Sequence, residues 1–360
     1  MSMIYMIPAC VLFALSPTFM ILWIPLFLIS KFSMKLYIYL DEKLYSIYQR
    51  SVVLFYEQIV GAEVLFYGDH EKVFKKKENV LYICNHQSTV DWVMSDIIIA
   101  RQGGIGRLRY ILKDELKFIP LYGFYFFMHG CIYVNRRQFE KDKAIKSMKY
   151  LLDNNISSWL VVFPEGTRYD KKKKKVIERS RQFAEEQGLI PLEYHLTPRM
   201  KGLELVLENL GDRLDAFYNI TILFEDKANY GKGKPWKRIL PGMFDWYRTK
   251  RVIHINIERL SLSEIPRSGE ALRNWLHNLF VEKDELMRKI LTKEISSTDS
   301  NWPLKNVKRQ DLTWLETFPC FLFLLGVTVL FLSSFWGRVL YLAITIGFGF
   351  MGIVYAFLRI

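Results

Sequence analysis

Charge is what this chain lacks at its two ends. Residues 1–30 carry no charged side chain, and residues 317–360 carry only Arg338 and Arg359. Cysteine is scarce as well. Cys10, Cys84, Cys131 and Cys320 are scattered with no C-x-x-C spacing, which suggests neither a disulfide frame nor a zinc site. Reduced thiols facing the cytosol are the default reading. There is no zinc-finger spacing and no RNP-like run, so nucleic acid is not an expected partner. There is no G-x-S-x-G elbow and no internal repeat.

The uncharged ends read as membrane segments. The run 3–30 exceeds the roughly 20 helical residues that cross a hydrocarbon core. Pro8, Pro17 and Pro25 interrupt it, which membrane helices tolerate. A cleaved signal peptide needs a basic n-region and a short apolar core. This run has neither, so an uncleaved anchor is expected. Two further runs, 317–336 and 339–358, flank Gly337-Arg338 and suggest a helical hairpin, with a re-entrant hairpin as the alternative. Lys31, Lys35, Lys43 and Arg50 follow the first run; Lys305, Lys308 and Arg309 precede the hairpin. The positive-inside rule then places residues 31–316 in the cytosol. The sequons at Asn155 and Asn219 would carry no glycan.

What is present lies between those ends: all but two of the 50 Lys and Arg, and all 37 Asp and Glu. Its basic excess calls for anionic partners, either phospholipid head groups or phosphorylated substrates. Residues 32–60 have helical spacing up to Gly61. A helix along the membrane and a core-packing helix are equally compatible with them. Runs of strand length follow at 63–67, 80–84, 131–134, 159–163, 219–224 and 252–257. Stretches of helical character at 139–154 and 203–207 separate some of them. The pattern predicts an α/β domain with ligands at strand carboxyl ends. The expected organisation is an anchor at 1–30, an α/β domain at 31–295 with a candidate interfacial helix at 31–60, a linker at 296–316, and a hairpin at 317–360. Lys171–Lys175 reads as a solvated loop.

Two motifs begin where a predicted strand stops. In the first, Asn85-His86-Gln87-Ser88-Thr89-Val90-Asp91, the imidazole titrates near neutrality and can take a proton from an attacking alcohol. It works best with a carboxylate on its other nitrogen. Five residues of continuous helix turn about 140° and would part the pair. They meet only if His86 lies in a turn and Asp91 in the first turn of the next helix. Ser88-x-x-Asp91 fits a capping pattern that supplies this geometry. Asp91 is then a cap, an orienter, or both.

The second motif is Phe163-Pro164-Glu165-Gly166-Thr167-Arg168. Gly166 permits a turn that aims N–H groups at an anion, and Arg168 offers a planar fork suited to phosphate. An ordinary strand-ending turn is the alternative. A third patch, Gly130 through Arg137, ends a strand in two guanidiniums. His129 and His254 read as structural. Cys84, closing an apolar run, suits burial better than nucleophilic attack. Direct attack of a hydroxyl on a thioester is the simpler scheme.

Together these residues resemble the glycerolipid acyltransferases, the family of 1-acylglycerol-3-phosphate acyltransferases. Asn85–Asp91 matches the family's first block, Gly130–Arg136 its second, and 163–168 its third residue for residue. The resemblance covers roughly residues 75–200. The run 81–92, with Pro120–Gly123 and His195–Arg199, looks most like the epsilon-type branch. The fourth block departs: only Leu196-Thr197-Pro198-Arg199 corresponds to it, with polar neighbours.

The resemblance implies a glycerolipid-acyltransferase-like α/β domain with one N-terminal and two C-terminal transmembrane helices. It implies His86 as general base and Asp91 as its orienter. Glu165, Gly166, Thr167 and Arg168, with Arg136, would hold the acceptor's phosphate and glycerol. The donor would be acyl-CoA, the acceptor lysophosphatidic acid, and the product phosphatidic acid, at a bilayer and with no metal or bound cofactor. The endoplasmic reticulum is the expected membrane and the mitochondrial outer membrane the alternative. Two other readings stand beside this one. The chain could acylate another lysophospholipid, such as lysocardiolipin or lysophosphatidylglycerol, or it could be a non-catalytic membrane protein that binds anionic lipid.

Overall fold

The structure is a computed structural model that describes residues 7–358 apart from 120, 136–139, 233, 235, 237, 243–245 and 293–294. In chain order its helices of at least one full α-turn are α1 (Ile7–Ile29), α2 (Met34–Val53), α3 (His70–Phe74), α4 (Asp91–Gln102), α5 (Tyr122–Met128), α6 (Lys141–Asp153), α7 (Lys174–Glu186), α8 (Lys201–Leu210), α9 (Gly269–Thr292), α10 (Trp314–Ser333) and α11 (Phe335–Leu358). The strands are β1 (Glu63–Gly68), β2 (Val80–Cys84), β3 (Leu108–Lys113), β4 (Ile132–Val134), β5 (Trp159–Val162), β6 (Ala216–Asp226), β7 (Arg251–Leu260) and β8 (Lys308–Arg309). The chain forms two compact units: Met1–Phe55 with Asp96–Ser158 and Leu312–Ile360, and Tyr56–Ser95 with Trp159–Asp311.

The first unit is helical, with β3 and β4 paired in parallel. Among the described residues, two of its helices are long and apolar enough to cross a bilayer by length and composition, over Cys10–Ile29 and Trp314–Ser333. α10 turns large apolar side chains outward, with Leu315 86% and Leu330 69% exposed, a surface that water does not favour. α11 does the same with Trp336 and Ile346. Packing among the helices is held by polar pins. The Thr18 and Thr328 hydroxyls meet at 2.6 Å, and Asp41 accepts from Trp23 at 3.1 Å and His129 at 2.6 Å. His129 is fully engaged, because its other ring nitrogen meets the Leu108 carbonyl. α2 buries Tyr37, Leu44, Tyr45 and Tyr48 on one face and exposes Leu36 and Tyr39 on another. Its last turn loosens into a π-helix over Leu54–Ile59 before Gly61, whose φ of 69° closes it.

The second unit carries the strand order β5-β2-β6-β7-β1-β8. β5, β2 and β6 run parallel, β6 and β7 antiparallel, and β7 and β1 parallel. β2 reads Val-Leu-Tyr-Ile-Cys and every residue is buried, as a strand covered on both faces requires. Val80 pairs with Trp159 and Ile83 with Val162, so β2 and β5 end side by side and their following turns share one edge of the sheet.

Two expectations change here. The stretch 296–316 was expected to be a linker, yet Ser296, Trp302 and Leu304 are buried and β8 adds to the sheet beside β1. Its polar sequence hid three inward-facing anchors. Lys171–Lys175 is solvated throughout, but α7 already begins at Lys174.

Candidate active site

β2 stops at Cys84 because Asn85 turns its side chain into the ladder. The Asn85 amide donates to the Ile222 carbonyl at 3.0 Å and its oxygen accepts from Ile222 N–H at 2.8 Å. A side chain thus replaces a peptide group, and the backbone is free to turn. His86 sits in that turn and Asp91 opens α4, the arrangement their spacing demanded. His86 Nδ1 lies 2.9 Å from Asp91 Oδ2. The same oxygen accepts Gln87 N–H at 2.6 Å and Ser88 N–H at 2.8 Å. Asp91 therefore both caps and orients. Ser88 Oγ accepts from Val90 N–H and donates to the Pro241 carbonyl.

An oxygen already accepting two N–H groups is an acceptor toward the ring, so Nδ1 faces it as a donor, and Nε2 meets no partner among the described residues. The imidazole stacks on Phe163, with centroids 4.7 Å apart. Its side chain keeps 26% exposure while Asp91 has none. An imidazole held this way on one ring nitrogen, with the other unpaired among the described residues, is built for proton transfer.

The second motif supports the first from beneath. Glu165 is 5% exposed and bridges two segments, accepting His86 N–H at 2.6 Å and Leu196 N–H at 2.8 Å. Burial pushes its carboxyl up to about 8 against the pull of those donors. Glu165 therefore ties two turns together, a structural role beside the acceptor contact that the resemblance implies. Gly166 adopts φ 72° and its N–H closes a turn onto Phe163, a conformation that only glycine enters cheaply. Thr167 and Arg168 follow, each partly exposed, and among the described residues no hydrogen bond or ion pair engages the Arg168 guanidinium. Tyr169 N–H then returns to the His86 carbonyl at 3.0 Å. The structure thus brings His86, Asp91 and Glu165 together by direct bonds, with Gly166, Thr167 and Arg168 next along the chain. Arg136 lies outside the described residues.

Cys84 is fully buried, and burial drives its thiol well above the ordinary range. That removes it as a nucleophile. Among the described residues no group of three or more His, Cys, Asp or Glu could hold a metal ion. His254 is buried between Tyr67 and the Glu225 carboxylate.

Two contributors escaped the sequence. Arg238 Nη2 donates to the Gln87 side-chain oxygen and to the Tyr194 carbonyl at 2.7 Å. Asp284 on α9 accepts Tyr194 N–H, Glu193 N–H and the His195 ring. Burial lowers His195 to about 4, so it stands neutral. Neither Arg238 nor Asp284 has a local motif, and both reach the site only through the fold.

Comparison with known proteins identifies the family. A model described as Acyltransferase matches residues 67–204, and one described as Acyltransferase C-terminus matches 247–313. The chain is 36% identical to 1-acyl-sn-glycerol-3-phosphate acyltransferase epsilon of Mus musculus, over 95% of this chain and 92% of that protein. It is 34% identical to probable 1-acyl-sn-glycerol-3-phosphate acyltransferase 5 of Arabidopsis thaliana, over 64% of this chain and 58% of that one. It is 29% identical to lysocardiolipin acyltransferase 1 of Gallus gallus, over 70% and 64% respectively. With a histidine poised by its carboxylate in the matched region, and near-complete coverage of the mouse relative, the chain belongs to the 1-acyl-sn-glycerol-3-phosphate acyltransferase family and is an acyltransferase.

Proposed function

We propose that the chain transfers a fatty acyl group from acyl-CoA to the free hydroxyl of 1-acyl-sn-glycerol-3-phosphate, giving phosphatidic acid and CoA. The observation that carries this reading is the 2.9 Å contact between His86 Nδ1 and Asp91 Oδ2, which leaves Nε2 free at a partly exposed edge. Nε2 removes the hydroxyl proton as the oxygen attacks the thioester carbonyl. The tetrahedral intermediate then collapses, the carbon–sulfur bond breaks, and the imidazolium returns its proton to the leaving CoA sulfur. Asp91 stabilises the imidazolium in between. No acyl-enzyme forms, since Cys84 is sealed in the core. Arg168, with Thr167 and the Gly166 turn, receives the acceptor's phosphate, because a guanidinium without a partner among the described residues is available to a dianion.

α1, α10 and α11 each cross the bilayer, and the Lys and Arg beside them put the catalytic residues on the cytosolic side. The endoplasmic reticulum is the proposed membrane and the mitochondrial outer membrane the alternative. A second acceptor reading is favoured by one finding, the similarity to a lysocardiolipin acyltransferase.

Both are tested by incubating the purified protein with labelled oleoyl-CoA and lysophosphatidate, lysophosphatidylglycerol or lysocardiolipin. Turnover fastest with lysophosphatidate supports the first reading. Preference for lysocardiolipin replaces it with the second, and lipid binding without turnover removes both.

A further inference from the structure

Three segments wrap His86, and one guanidinium touches all three. The first is the turn after β2. The Gln87 side-chain oxygen accepts from Arg238 Nη2, while Gln87 N–H holds Asp91. The second is the turn after β5. The Arg238 guanidinium carbon lies 4.5 Å from the Tyr169 ring centre, and Tyr169 N–H holds the His86 carbonyl. The third is the 193–196 segment. The Tyr194 carbonyl accepts from Arg238 at 2.7 Å, and Leu196 N–H shares the Glu165 carboxylate with His86 N–H.

We propose that Arg238 is a positioning residue for acyl transfer, holding these three segments in register so that the His86 ring stays aligned on Asp91. The inference rests on the acyl-transfer reading of the site. Arg238 comes from a stretch without regular secondary structure, remote in sequence from both motifs. Its cost is visible. Nε and Nη1 are buried with no hydrogen-bond partner, and no carboxylate pairs with it among the described residues. Burial holds its pKa below the usual arginine value. An apolar side chain would fill this space without that penalty. The guanidinium supplies what an apolar group cannot, two directed donors from one nitrogen and a flat face for an aromatic ring. Lysine's single ammonium can meet both acceptors but lacks the face.

The test uses the full-length purified protein with Arg238→Gln, Arg238→Lys, Gln87→Ala and the Arg238→Gln/Gln87→Ala double variant. Misplacing a catalytic group by about 1 Å costs on the order of a hundredfold. Arg238→Gln should therefore lower kcat about thirty- to a hundredfold, with KM for each substrate within about threefold. Arg238→Lys should recover most of that loss. The double variant should be no slower than Arg238→Gln, since Arg238→Gln already breaks the link that Gln87→Ala removes. Backbone hydrogen exchange at Gln87, Ser88 and Leu196 should speed about tenfold or more in Arg238→Gln, a readout that needs no turnover. An unchanged kcat, a rise in KM alone, fully multiplicative losses or unchanged exchange each overturn the proposal. If Arg238→Gln does not fold, Gln87→Ala decides it: kcat should fall with KM held and exchange at Gln87 and Ser88 should speed, and unchanged values of both overturn the proposal. A wild type without turnover would remove the acyl-transfer reading, and the exchange comparison would still judge Arg238.

Discussion

Asp91 Oδ2 accepts three hydrogen bonds, one from a ring and two from the backbone. An amide in its place keeps an acceptor but loses the charge that stabilises an imidazolium. Asp91→Asn should therefore lower kcat by at least about a hundredfold while KM changes little. Steady-state kinetics on folded protein checks this, and a variant with near-normal kcat would remove Asp91 from the mechanism. Cys84 offers the converse test. It is fully buried with its thiol pushed far up, so Cys84→Ala should retain activity within a few-fold. The native thiol should resist maleimide until the protein unfolds, as mass spectrometry of labelled peptides would show. At this scale the sequence disclosed much. His86 with Asp91 was legible because a capping pattern and a base fall in seven residues. The role of Glu165 was not, because its partner Leu196 lies 31 residues away.

The turn that carries His86 is stabilised by neighbours that must stay neutral or tightly turned. Burial lowers His195 from its ordinary value to about 4. Between about pH 6.5 and 4 the unfolded chain binds this proton and the folded one does not. Stability from this group is therefore full above 6.5 and falls as pH drops toward 4, by up to about 3 kcal/mol. Denaturant unfolding across that range should show the loss, and His195→Gln should flatten it; an equal slope in the variant would contradict the assignment. Gly68 ends β1 at φ 72°, where an added Cβ would stand 2.3 Å from the Ile257 carbonyl. Gly68→Ala should cost at least about 2 kcal/mol, measurable by the same unfolding. β2, a purely apolar run, was readable to the residue and β1, β4 and β5 to within one, whereas β6 and β7 extend beyond their expected runs at both ends. β3 was not readable, because Arg109 interrupts it. Arg109 is buried and paired with Glu42 at 3.1 Å and Gly106 O at 2.8 Å, and those partners appear only in the folded chain. β8 escaped for the same reason: two exposed basic residues become a strand only by pairing with β1.

At the scale of the whole molecule, the apolar ends and the basic middle divide the labour. The exposed apolar faces of α10 and α11 suit lipid, and the basic middle suits two phosphate-bearing substrates. The proposed topology keeps Asn155 and Asn219 away from the glycosylation machinery. The wild type should carry no glycan, whereas a sequon inserted at the turn between α10 and α11 should gain one, read as a mass shift reversed by a glycosidase. The central claim is that one imidazole, held by Asp91, removes the proton from the acceptor hydroxyl. It is tested most directly by comparing purified wild type with His86→Ala, both folded in lipid vesicles, with labelled oleoyl-CoA and saturating lysophosphatidate. The expected result is phosphatidic acid from the wild type and a rate about a thousandfold lower or less from His86→Ala. Equal rates from the two would contradict the account.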